Sequence, residues 1–262
     1  MTRITSLPHA TNGTHVPRRT FLGLAAAAAM HSAHAGLSDL VARVTGTEDP
    51  GCLSVVLVDV TASISSADWA LYERGFSGLI ETNRVGDRIV LGAIGDRPVS
   101  KFIARADRAI SLKHKRLEDE ANLKRANAQL MDDFAQVRSS SATPAKATFI
   151  LDAISATEQL FAQGRSQKQT LNLLLLSDMV EESPAANFAR SPVDAAYAKK
   201  LIETRRTQGL LPDLRGVRVY VVGAGGRNGE QMARVQMFWA TYFSATGASL
   251  QAYGRNPGPV SR

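Results

Sequence analysis

Residues Ser54-Val-Val-Leu-Val-Asp59-Val-Thr61-Ala-Ser63 decide the fold. A short Val/Leu run bounded by polar residues predicts a strand buried on both faces, as in a parallel sheet. One carboxylate and two hydroxyls emerge together where that strand stops. In open α/β sheets, ligands collect in the crevice outside the carboxyl ends of strands. Asp59, Thr61 and Ser63 offer three hard oxygen donors, which suit Mg²⁺ or Ca²⁺ rather than zinc or copper. The same residue types dominate helix N-caps, so capping of the next helix is the alternative reading.

Outward from this stretch, strands alternate with helices. A helix over 67–82 carries Trp69, Tyr72, Phe76, Leu79 and Ile80 on one stripe at helical spacing, which predicts core packing. Strands follow at 88–94 and, after Pro98, at 99–104, the second read as an antiparallel edge. A long charged helix is expected over 106–138, with Ile110, Leu117, Leu123, Leu130, Phe134 and Val137 as its apolar line. A helix at 148–163, a very apolar strand at 171–176, a helix at 194–208, a strand at 217–222, a helix at 229–245 and a last strand at 249–253 complete the pattern. Such alternation predicts an α/β fold: a doubly wound, mostly parallel sheet with helices on both faces and one antiparallel edge strand. The domain is placed at 53–253, with a frayed tail at 254–262.

The first 35 residues read as an export leader. Pro17-Arg18-Arg19-Thr20-Phe21-Leu22 resembles a twin-arginine signal, with Pro17 and Gly23 departing from the usual residues. A ten-residue apolar stretch from Phe21 to Met30 and Ala33-His34-Ala35 follow, predicting cleavage after Ala35, a linker at 36–52 and a periplasmic or secreted product. The apolar stretch is too short for a stable membrane span, which needs about 20 residues. The full chain carries 31 basic and 24 acidic residues; the leader holds Arg3, Arg18 and Arg19 and no acid, so 28 face 24 without it. That balance gives no basic stripe and excludes nucleic acid as an expected partner. His114 is the one histidine outside the leader and Cys52 the single cysteine, which leaves little for a Ser-His-Asp triad, a zinc site or a disulfide.

Two further oxygen clusters share the design of the first. Leu171-Asn-Leu-Leu-Leu-Leu176-Ser177-Asp178 again sets an acid after a buried strand, and Thr148 precedes an amphipathic helix. Together these residues resemble the von Willebrand factor type A (integrin I-like) domain, whose metal-ion-dependent adhesion site is written Asp-x-Ser-x-Ser, then a distant Thr, then a distant Asp. Asp59, Thr61, Ser63, Thr148 and Asp178 stand in that order over a resemblance spanning 53–253, with Thr61 replacing the commoner serine. The resemblance implies a bound divalent cation, Mg²⁺ (or Mn²⁺ or Ca²⁺), touched by the hydroxyls of Thr61, Ser63 and Thr148 and held by Asp59 and Asp178 largely through water. It implies a binding module, not an enzyme, that captures a protein partner through an acidic side chain.

Glu181 and Glu182 follow Asp178 in a long loop, where either a place near the cation or a solvated acidic turn is open to them. Gly223-Ala-Gly225-Gly226-Arg-Asn-Gly229 does not fit a dinucleotide loop and is read as a turn closing the same sheet edge. The rival class is a Mg²⁺-dependent phosphotransferase of haloacid-dehalogenase type with Asp59 as nucleophile. That family resembles Asp-x-Asp, and Thr61 removes its general acid. A scaffold of the same fold without metal is the third reading.

Overall fold

Eight consecutive buried residues, Cys52–Asp59, form β1, the strand anticipated from its Val/Leu run. The computed structural model describes residues 49–61, 64–95, 102–139, 147–226 and 228–256. The expected leader, most of the linker, Ser63 and the end of the tail lie outside them. After β1 come α1 (Ser66–Glu81), β2 (Arg88–Ile94), β3 (Ala106–Ala109), α2 (Arg116–Ser139), α3 (Ile150–Ala156), α4 (Glu158–Ser166), β4 (Thr170–Leu176), α5 (Ala195–Thr207), β5 (Val217–Val222), α6 (Gly229–Thr246) and β6 (Ser249–Gly254).

The six strands run in the order β3-β2-β1-β4-β5-β6. All neighbours are parallel except β2 and β3. Alternate side chains of β1 and β4 enter two cores. Val56, Val58, Leu174 and Leu176 pack with α1 and α2 on one face. Leu53, Val55, Leu57, Leu171, Leu173 and Leu175 pack with α3, α4, α5 and α6 on the other. Burying each such side chain contributes about 1.5–3 kcal/mol, which is why these strands carry apolar residues at every position. Trp239, Tyr242 and Phe243 of α6 are fully buried.

The edge strand is antiparallel as expected, but it lies at 106–109 and not at 99–104, of which residues 102–104 have no regular structure. Two ion pairs place it there. Arg88 grips Asp107 (Nε to Oδ1 2.9 Å, Nη2 to Oδ2 2.6 Å), and Arg108 grips Asp133 of α2 (2.8 and 2.9 Å). The expected helix at 106–138 is therefore corrected: α2 starts ten residues later, and Ile110 follows β3 directly, its backbone paired with Gly86 and Asp87. Leu117, assigned to the apolar line, is 79% exposed, whereas Leu130, Phe134 and Val137 do enter the core. Phe134 stacks on Phe76 with ring centroids 4.7 Å apart. The helix expected over 148–163 is two, joined at Thr157. At the opposite edge, β6 pairs with β5 through a register shift at Val219/Tyr220.

Candidate metal centre

The strand order reverses between β1 and β4, so the chain leaves their carboxyl ends toward opposite faces and opens a crevice there. Asp59 closes β1 at the floor of that crevice. Its side chain is fully buried and both oxygens are engaged: Oδ1 accepts from the Thr61 N–H (3.0 Å) and hydroxyl (2.6 Å), Oδ2 from the Ser177 hydroxyl (2.9 Å). Burial pushes the Asp59 carboxyl above its ordinary range, and the Thr61 and Ser177 bonds pull it partly back. A hydroxyl that gives its proton to a carboxylate keeps its lone pairs for a cation. Neither Asp59 nor Thr61 caps the next helix. Ser65 does so, in a capping box with Asp68.

Asp178 is aimed by a local strain. Met179 takes φ 67°, a left-handed conformation costing a side-chain-bearing residue roughly 1–2 kcal/mol. The Met179 N–H donates to Ser177 Oγ (2.9 Å), its carbonyl accepts from Trp239 Nε1 (2.9 Å), and its side chain is fully buried. The chain is thereby pinned into the core on one side of Asp178, whose Oδ1 accepts from the Val180 N–H at 2.9 Å. Burial and then the charge of Asp59 push the Asp178 carboxyl up to about 7.

Thr148 reaches the same edge through its backbone. It exchanges hydrogen bonds with Glu182 (3.1 and 3.0 Å), and the next N–H, of Phe149, donates to the carbonyl of Gly95 just past β2. Thr148 is buried but is not the cap of α3; that position belongs to Phe149, which makes no side-chain cap bond. The cap comes from Glu181 instead, whose Oε2 accepts from the Leu151 N–H at 2.9 Å. Glu181 is thus a buried structural carboxylate, and Glu182 lines the cavity above Asp178.

Burial pushes Glu181 up to about 7 against the pull of the helix amides. A raised carboxyl binds its proton more tightly in the native state, so stability present below pH 4.5 is lost as pH rises toward 7. The full shift corresponds to about 3 kcal/mol. In Glu181→Gln, urea midpoints measured from pH 4.5 to 8 should fall less steeply than in the parent. An unchanged slope would show that Glu181 is not the buried, titrating cap.

The glycine loop after β5 forms the opposite wall, as its reading as a closing turn anticipates. The Gly225 N–H donates to the Asp178 carbonyl (3.0 Å). Gly223 has φ 97°, and a Cβ there would lie 2.4 Å from Tyr72 Cε1. The tail is anchored further than expected, since the Gly223 N–H reaches the carbonyls of Gly254 and Arg255.

Asp68, Asp178, Glu182, Gly223, Gly225 and Arg255 are among the residues lining a cavity of about 310 Å³. The hydroxyls of Tyr72 and Tyr253 are buried and make no hydrogen bond to the protein among the described residues. Burial and the charge of Asp178 raise both phenols, and Asp59 adds to the effect at Tyr72. One buried and one half-buried carboxylate and two phenols lacking acceptors are polar groups that a hydrated cation could satisfy. Among the described residues no group of three His, Cys, Asp or Glu could hold a metal, so a cation here depends on hydroxyls as well as on the two acids. Sequence reading missed Ser177 as the partner of Asp59, Glu181 as a cap, and Arg255.

No family model and no curated protein matches the chain. Among solved structures, it is similar to the manganese-loaded TRAP protein of Plasmodium vivax, at 17% identity over 71% of this chain and 62% of that one, with a TM-score of 0.42. It is also similar to the SpRpn10 VWA domain, at 15% identity over 79% and 90% with a TM-score of 0.39. The human COPII-coat protein Sec24c matches at 14% over 77% and 33%, with a TM-score of 0.32. The chain thus spans less than two thirds of the TRAP structure.

Proposed function

We propose that this chain is a metal-dependent protein-binding module of the von Willebrand factor type A kind, used for adhesion or assembly. The observation that carries the reading is the pair of carboxylates at the β1/β4 reversal, Asp59 buried at the floor and Asp178 half-buried at the cavity wall, with the Thr61 and Ser177 hydroxyls bonded to Asp59. Thr61, Ser63, Thr148, Asp59 and Asp178 would hold one Mg²⁺, with Mn²⁺ or Ca²⁺ as substitutes. When bound, the cation supplies an electrophilic coordination position for an acidic side chain of a protein partner. Asp59 keeps Thr61 oriented, Ser177 keeps Asp59 oriented, and Asp178 completes the charge balance. Both Asp59 oxygens accept hydrogen bonds, which supports a positioning role over a nucleophile's.

Metal is tested by melting. Cation binding to the native state alone stabilises it by about 2.7 kcal/mol at 100 times Kd, so the melting temperature should rise with Mg²⁺ in the parent. Thr148→Ala removes no cap bond, and should melt like the parent in EDTA while responding less to Mg²⁺. Calorimetry without Mg²⁺ or Mn²⁺ binding at millimolar concentration would sink the site. A pull-down from cell envelope should lose its acidic partner in EDTA.

The leader motivates export through the twin-arginine route to the periplasm or beyond, with the mature chain starting at Gly36. Arg18→Lys with Arg19→Lys should leave precursor in the cytoplasm. Undiminished export of that variant would exclude this route.

A further inference from the structure

Among the described residues one cationic side chain, Arg255, lines the acidic cavity above Asp178, and its position is built rather than incidental. Arg255 follows β6, where the Gly223 N–H holds its carbonyl at 3.2 Å. Its Nη2 donates to Asp68 Oδ1 at 3.1 Å. Asp68 is itself fixed, because its Oδ2 accepts from both the N–H (3.1 Å) and the hydroxyl (2.6 Å) of Ser65 in the capping box of α1. A helix terminus and a glycine turn thus hold the guanidinium at the cavity rim. The Arg255 side chain is 60% exposed, so its ion pair adds little to stability. Asp68 takes one of the five N–H donors of a planar fork shaped to match a carboxylate. Arg255, Asp178 and Glu182 line one cavity of about 310 Å³, with room for an acidic side chain of a partner beside the guanidinium.

We propose that Arg255 is the specificity-determining residue for the partner's acidic side chain, taking one carboxylate oxygen while the other is presented to the cation beside Asp178. This rests on the metal-binding reading above. It predicts discrimination against neutral amides, because an amide offers one acceptor oxygen and places a donor NH2 where the second is needed. It also sets two affinities against each other. The guanidinium repels a divalent cation through its like charge and attracts the carboxylate, so its removal must move the two in opposite directions.

The full chain is titrated with Mn²⁺, read by water-proton relaxation, and the Mn²⁺-loaded chain is then titrated with acetate, read by the loss of that relaxation. Arg255→Gln should bind Mn²⁺ roughly two- to fivefold more tightly. It should bind acetate about tenfold more weakly, the size of one charge-assisted hydrogen bond. Arg255→Lys should keep the parent's Mn²⁺ affinity and recover only part of the acetate affinity, since it has charge without the fork. Melting temperatures of both variants in EDTA should lie near that of the parent. A merely structural arginine would not separate the two affinities. Equal acetate binding by the parent and Arg255→Gln overturns the role of Arg255 and leaves the metal site standing. A parent that binds no Mn²⁺ overturns both.

Discussion

Replacing Asp178 with asparagine should raise the melting temperature of the chain in EDTA at pH 8 and abolish its response to Mg²⁺. The carboxyl of Asp178 is half-buried near Asp59, and desolvation with the charge of Asp59 pushes it up to about 7, above its ordinary 3.8. The native state therefore binds this proton more tightly than the unfolded chain. Stability present below pH 4 is lost as pH rises through 7, and above it the ionised group costs up to about 4 kcal/mol. Asparagine keeps an oxygen for the Val180 N–H and carries no charge. A gain of roughly 2–4 kcal/mol corresponds to about 5–15 °C for a domain of this size. At pH 4 the difference should close, because both side chains are then neutral. Identical melting of parent and variant at pH 8 in EDTA would show that Asp178 is not under electrostatic strain. In the metal-binding reading proposed above, that instability is useful, since a divalent cation would relieve the repulsion that the fold alone leaves in place.

A second large effect is expected at Gly223. Alanine there meets two penalties, a backbone at φ 97° that L residues avoid and a Cβ 2.4 Å from the Tyr72 ring. Overpacking of this kind costs about 1–3 kcal/mol, on top of roughly 1–2 kcal/mol for the backbone. Gly86 provides the control, because it has φ 96° with no atom within 4 Å of a built Cβ. Urea midpoints should therefore place Gly223→Ala well below Gly86→Ala. Displacing Tyr72 also disturbs the wall beside both aspartates, so any Mg²⁺ response should shrink with it. Equal losses in the two variants would mean that Tyr72 yields without cost.

The central strands were legible because burial on both faces leaves a local signature. β2 and β5 coincide with their expected limits, and β1 and β4 extend one residue beyond theirs at one or both ends. The edge was not legible. Ala106-Asp-Arg-Ala109 has four residues and no apolar alternation, and its place is set by Arg88 and Asp133, which are distant in sequence. Ile110 and Leu117, at a helix-like spacing, then drew the expected helix ten residues too far toward the N-terminus. At the site, Asp59, Thr61 and Asp178 could be picked out because each ends or follows an obvious strand. Glu181 could not, since capping across 30 residues is a tertiary contact. Arg255 was lost in a segment read as tail because its anchors, Gly223 and Asp68, lie far back in the chain.

The two outer strands bear on how this sheet meets other chains. β3 is only four residues long, and its Asp107 and Arg108 are each locked in a two-point ion pair. β6 slips register against β5 at Val219/Tyr220, which bends its free side out of line. Short length, charge and irregularity are the devices by which sheet margins resist lateral growth. Strand addition, the cheapest route by which one β protein recruits another, is therefore discouraged on both sides. The partner binding proposed above then falls to side chains at the carboxyl ends of the strands, where selectivity can be written in charge instead of in backbone hydrogen bonds that every polypeptide shares.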